Sequence, residues 1–152
     1  MLKKGLILLV ALCVMLSMSG CSHLFFMLLI ASGDDRASQD EILSFVRENE
    51  QELLSAVESG DFSAYQNKGF IQDISAEETV VDFSCGGAGM GSATSYVGFY
   101  YTSENDMAAV WCAPYSADAL TPCGDGFEWQ SGDNRYYTEH ICGNFYYYEA
   151  SF

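Results

Sequence analysis

Apolar residues fall into three patterns along this chain. They run almost unbroken from Gly5 to Leu16, recur at helical spacing between Ile42 and Val57, and alternate with polar positions from Thr79 onward. The middle pattern predicts one amphipathic helix. Ser38 and Glu41 have the spacing of a capping box, in which the serine oxygen accepts a backbone N–H and the glutamate reaches back. Ile42, Val46, Leu53 and Val57 share a face that Leu43, Phe45 and Leu54 widen, and Gly60 stands where a left-handed C-cap belongs. Glu48, Asn49, Glu50, Gln51 and Glu52 interrupt the apolar stripe and read as solvated.

The later pattern predicts strands. Thr79–Cys85 puts Val81, Phe83 and Cys85 on one face; Thr94–Tyr101 puts Val97, Phe99 and Tyr101 on one face and Tyr96, Gly98 and Tyr100 on the other. Met107–Cys112 reads as a third strand. Arg135–Cys142 and Phe145–Ala150 flank Gly143-Asn144, a two-residue hairpin signal. Phe70–Ile74 and Phe127–Trp129 are weaker strand candidates. No helical pattern lies between strands to carry a parallel crossover. The expectation is an α+β fold, with one N-terminal helix packed on an antiparallel β-meander of about five strands, in a single domain over residues 39–152.

Composition narrows the function. The chain has 152 residues, 49% of them hydrophobic, which excludes wholesale disorder. Its net charge is −15, from 21 acidic against 6 basic residues, and this excludes nucleic acid as a partner, because that affinity comes largely from Lys and Arg neutralising phosphates.

The first apolar run reads as an address. Lys3 and Lys4 form a basic n-region, and Gly5–Leu16 has the length of a signal-peptide core. The run Ser17-Met18-Ser19-Gly20-Cys21 resembles the lipobox of bacterial lipoproteins. That resemblance implies cleavage after Gly20, a diacylglyceryl group on the Cys21 sulfur, often a further acyl chain such as palmitate on its amine, and a body held at the outer, extracytoplasmic face of the cell membrane. It covers about the first 22 residues only. Residues 1–20 would then be the signal peptide, and 21–38 the lipidated N-terminus, an apolar segment and a linker. Leu24–Ala31 is apolar again, so Gly5–Ala31 has an alternative reading as one uncleaved anchor. Both place the body outside the cytoplasmic membrane, because the two lysines favour an N-terminus inside. Without residues 1–20, four basic residues (Arg36, Arg47, Lys68, Arg135) face all 21 acids, a net charge of −17.

Four cysteines remain in the body: Cys85, Cys112, Cys123 and Cys142. Outside the membrane an even count admits two disulfides, such as Cys112–Cys123 with Cys85–Cys142; four buried thiols are the other reading. No two of them form the close pair that zinc sites use, and no cofactor motif is present. The glycines from Gly86 to Gly91 lack the Lys-Ser/Thr ending of a phosphate loop. Asp125, Glu128, Asp133 and Asn134 lack the EF-hand spacing for calcium and read as solvated turns. Cys85 with His140 as its base would make a thiol nucleophile beside glycine N–H groups, although an acidic neighbourhood raises a thiol pKa.

Fifteen aromatics crowd the 57 residues from Tyr96 to Phe152. Alternation prevents Tyr136 and Tyr137, or Tyr146, Tyr147 and Tyr148, from all facing the helix. An exposed tyrosine-rich sheet face suits a protein or glycan partner, and cross-strand pairing is the structural alternative. The functional expectation is a membrane-anchored, non-catalytic binding domain with an unknown protein or glycan partner. The alternative is a small exported enzyme using Cys85 and His140.

Overall fold

Ser38 opens the first helix. In the computed structural model, which describes residues 36–66, 68–90 and 93–152, its hydroxyl accepts from the Glu41 amide at 3.4 Å, and Glu41 Oε2 accepts from the Ser38 amide at 3.0 Å. The capping box is therefore formed. The signal segment, Cys21, the apolar stretch 24–31 and the linker residues 32–35 lie outside the described residues.

Where one helix was expected there are two, α1 over Gln39–Glu48 and α2 over Glu50–Ser59. The break falls at Asn49, whose backbone (φ −117°, ψ 20°) leaves the helical region. Its side-chain amide and backbone N–H both donate to the Phe45 carbonyl, at 2.8 and 3.0 Å. Asparagine competes with the helix ladder in this way, and the polar run around it has no apolar contact to oppose the break. Gly60 ends α2 at φ 69°, the left-handed cap read from the sequence.

Seven strands form one antiparallel sheet rather than the five expected: β1 Asp73–Ala76, β2 Val80–Met90, β3 Ala93–Thr102, β4 Thr121–Cys123, β5 Gly126–Ser131, β6 Asn134–Cys142 and β7 Phe145–Ser151. Their order is β1-β2-β3-β7-β6-β5-β4. Two meanders, β1–β3 and β4–β7, thus meet where β7 pairs with β3, and a single meander is not what the chain forms. The cause is the segment 103–120. It leaves β3, crosses one face of the sheet and starts β4 at the far edge, so the hairpins fold back until β7 reaches the centre.

Met107–Cys112, expected as a strand, belongs to this crossover. Asp106 turns it, accepting from the Ala108 amide through Oδ1 at 2.9 Å and from the Ala109 amide through its carbonyl at 3.3 Å. Val110 and Cys112 are buried against the sheet instead of in a ladder.

Both sheet faces are covered. On the helix face, Ile42, Val46 and Leu53 pack on Phe83, Phe99, Phe145 and Tyr147, with Phe83 and Phe99 stacked at 4.5 Å. Each such side chain contributes roughly 1.5–3 kcal/mol by leaving water. On the opposite face, the loop face, Val110 and Cys112 pack on Tyr100, Tyr136, Tyr146 and Tyr148. Gly98 makes this possible. It sits between Ser84 and Tyr148 in register, and a Cβ there would lie 2.8 Å from the Tyr148 hydroxyl. Without that Cβ, the Tyr148 ring lies across β3 toward β2.

Candidate functional site

The tyrosines expected as a binding surface are mostly interior. Tyr136, Tyr146, Tyr147 and Tyr148 are 4% exposed or less, and Tyr137 is half-buried. Tyr147 lies in the helix-face core and donates to Glu149 at 2.7 Å; Tyr137 donates to Glu139 at 3.1 Å. On the other face the crossover covers the rings and its polar atoms take their hydroxyls. Met107 O accepts from Tyr100 at 2.8 Å and from Tyr136 at 3.0 Å, and Asn105 Oδ1 accepts from Tyr146. Sequence reasoning missed this cover because it assigned Met107–Cys112 to the sheet.

What the crossover presents outward is aromatic too. Trp111 is 61% exposed and Tyr115 fully so. The Trp111 ring is held edge-on to Tyr96 at 5.3 Å and leans toward Phe152 at 6.2 Å. Its indole Nε1 donates to Asp82 Oδ2 at 3.1 Å, pinning the crossover to β2. Asp82 alternates with Phe83 and so points to the loop face, where it is 9% exposed. Burial pushes its carboxyl up to about 6 and nearby Asp73 adds to the shift, while the Tyr148 and Trp111 donors oppose it. Its Oδ1 has no donor at normal hydrogen-bond geometry, and the Tyr148 hydroxyl is the nearby group that faces the carboxylate. Asp82, Glu77, Val80, Val110 and Trp111 border a cleft of about 190 Å³. The signal available in the sequence was the carboxylate itself, placed mid-strand between Val81 and Phe83 where both sheet faces are covered.

A second cleft, of about 420 Å³, lies on the helix face beyond the start of α1. Arg36 and Arg135, two of the body's four cations, line it with Glu128, Glu149, Tyr137 and Cys123. Arg36 donates to Ser95 Oγ at 2.7 Å. Its opposite charges offset one another, which leaves a polar recess without a dominant sign.

The proposed nucleophile and base are not brought together. Cys85 is fully buried on β2, its thiol donating to Phe83 O at 3.4 Å, and burial with the nearby Asp82 charge pushes its pKa well up. His140 is exposed on β6, its Nε2 2.8 Å from Gly143 O. Strands β3 and β7 stand between them, so three interstrand spacings, about 14 Å, separate the two strands.

The four body cysteines are free in this structure. Cys85 and Cys112 are buried in the cores of opposite faces, Cys142 borders the helix-face core, and Cys123 lines the helix-face cleft. Asp125 and Asp133 are exposed in turns flanking β5, and Glu128 lines the larger cleft. Among the described residues no three His, Cys, Asp or Glu side chains are grouped to hold a metal ion, and no helix is long and apolar enough to cross a membrane.

No family model matches the chain, nor does any curated protein or any solved structure.

Proposed function

We propose that this protein is a lipid-anchored lipoprotein at the extracytoplasmic face of the cell membrane, and that its folded body is a non-catalytic recognition domain. The lipobox-like run ending at Cys21, with its two preceding lysines, supports the anchor and the orientation. A body charge of −17 repels anionic lipid and leaves attachment to the acyl chains.

The observation that carries recognition is the exposure of Trp111 and Tyr115 on a crossover whose neighbouring Val110 and Cys112 side chains are packed down. Large aromatics are usually withdrawn from water, and rigidly held exposed ones are the common anchors of binding surfaces. Trp111 is held by three partners, Asp82, Tyr96 and Phe152, so little order remains to be imposed when a partner docks.

A photoreactive residue at Tyr115 in the anchored protein tests this in intact cells. The expected result is one discrete adduct that disappears with Trp111→Ala; the absence of any adduct overturns the reading. Loss of acyl labelling in Cys21→Ser is the matching test of the anchor, and unchanged processing of that variant overturns it.

A further inference from the structure

Strand β2 outruns its neighbour. β1 pairs with it only from Val81 to Ser84, and the last bond from that side runs from the Gln72 amide to Ser84 O at 2.8 Å. The Ala37 amide then donates to Cys85 O at 3.3 Å. β2 continues to Met90, paired with β3 alone. Gly87, Ala88 and Gly89 are exposed on this bare edge.

The polar groups of the edge have a definite direction. Thr94 exchanges both backbone bonds with Phe152, on the β7 side, at 3.0 and 2.8 Å. Its register partner Gly89 is thus in a non-hydrogen-bonded pair, and the Gly89 N–H and C=O point away from β3. A Cβ at Gly89 (φ 126°) would collide with Ala93 O, so no side chain stands there. Gly87, two residues back and opposite Tyr96, points its backbone groups the same way. Among the described residues, no backbone group meets these four.

Sheets rarely leave such an edge undefended. At the opposite edge β4 is three residues long and carries Pro122, and β1 carries Asp73. The run Gly86-Gly87-Ala88-Gly89-Met90 has neither charge nor proline. Beside it lies a recess of about 320 Å³, bordered by Gln72, Ser84, Gly87, Gly89, Thr94 and Tyr96. The Tyr96 ring lies against Gly87, where a Cβ would come within 3.1 Å of it, and also meets Trp111 edge-on at 5.3 Å. One ring thus joins the free edge to the exposed indole.

We infer that the free edge of β2 binds an extended segment of a partner protein, which adds to the sheet as a further strand. This rests on the body being a recognition domain and gives that domain a binding mode. Donor and acceptor pairs at alternate residues match the repeat of another strand, which the hydroxyls of a glycan do not share. The segment lies about 4.8 Å beyond β2, with every second side chain on the loop face toward Tyr96 and Trp111. The body charge of −17 repels a second copy of this chain and favours a segment poor in acids and rich in Lys or Arg.

The test uses the full-length chain, ¹⁵N-labelled, in a nonionic detergent. A displayed library of random nonapeptides is panned against it, and the tightest binder is synthesised as the probe. Two derivatives carry N-methyl groups at alternate residues in opposite phase. In the free protein the Gly87 and Gly89 amides should exchange rapidly with solvent. Saturation with the probe should slow both at least about tenfold, and one N-methylated phase should lose at least about tenfold in affinity. The other phase, whose methyl groups face away from β2, should keep it. No selectable peptide, acidic peptides only, equal loss in both phases, or a bound probe that leaves both glycine amides unprotected would overturn the inference. Slow exchange of both amides before any peptide is added also overturns it, because the edge is then held by a second copy or by the segment before Arg36. If the Tyr115 adduct still forms in any of these events, only the strand mode falls; if the adduct is absent as well, the recognition reading falls with it.

Discussion

Tyr100 and Tyr136, on strands separated by β7, direct their hydroxyls to one acceptor, the Met107 carbonyl. Both rings are buried, so the two bonds hold the crossover down on the sheet from below. Replacing either tyrosine with phenylalanine keeps the ring and removes one bond, at an expected cost of about 0.5–1.5 kcal/mol in urea unfolding. The double variant should lose more than the two singles together, because the buried carbonyl then has neither donor. Faster hydrogen exchange confined to the Ala109 and Ala113 amides, which donate within the crossover, is the accompanying signature. Additive losses without that local change would show that the crossover is held by packing alone.

Ser38→Ala removes the hydroxyl that accepts from the Glu41 amide and leaves that N–H to water. The expected loss is about 1 kcal/mol, the usual worth of an N-cap. Ser38→Asp should recover most of it, because aspartate also caps and its charge suits the helix N-terminus. Thermal melts of the three proteins at one pH are sufficient, and a Ser38→Ala protein as stable as its parent would mean that α1 is held by its core contacts alone.

Thiol reactivity separates recognition from catalysis. Burial raises Cys85 and Cys112, the latter to about 12, and both side chains are closed to solvent. Cys123 and Cys142 are half-buried and only raised by lesser surroundings, with Arg135 and Arg47 opposing the shift in each. Under native, reducing conditions near neutral pH, iodoacetamide should label Cys123 and Cys142 first and Cys85 last, as read by peptide mass. Preferential labelling of Cys85 would revive a thiol nucleophile. Masses with and without reductant, taken on protein from the envelope, show whether any of the four is paired there.

Much of the fold follows from local pattern, and its errors share one physical source. The capping box at Ser38, the left-handed Gly60, the faces of β2 and β3 and the Gly143-Asn144 hairpin depend on neighbours within a few residues, and each is present. The break at Asn49 was hidden because a polar stretch on a helix surface looks the same whether the helix bends or continues. Met107–Cys112 reads like a strand, but Val110 and Cys112 answer largely to Tyr136, Tyr146 and Tyr148, about 24 to 38 residues later in the chain, and nothing local records that. The same hidden contact turned the tyrosines from a surface into an interior. It also moved the candidate site from strands β6 and β7 to the crossover, where a carboxylate from β2 meets an indole 29 residues away.

That carboxylate gives the sharpest pH prediction. Asp82 has its pKa raised from 3.8 to about 6 in the folded protein, chiefly by burial. A carboxyl raised on folding favours the folded state when protonated, so its contribution is complete below 3.8 and is lost as pH rises through about 6. The displacement corresponds to at most about 3 kcal/mol. Asp82→Asn removes the charge and keeps an oxygen for the Trp111 indole. The variant should therefore be more stable than its parent at pH 8, by about 1–3 kcal/mol, with the difference shrinking as pH falls toward 4. Urea midpoints across that range check both the sign and the window. A variant less stable than its parent at pH 8 would mean that the ionised carboxylate is satisfied in the folded protein, by water or by a bound cation.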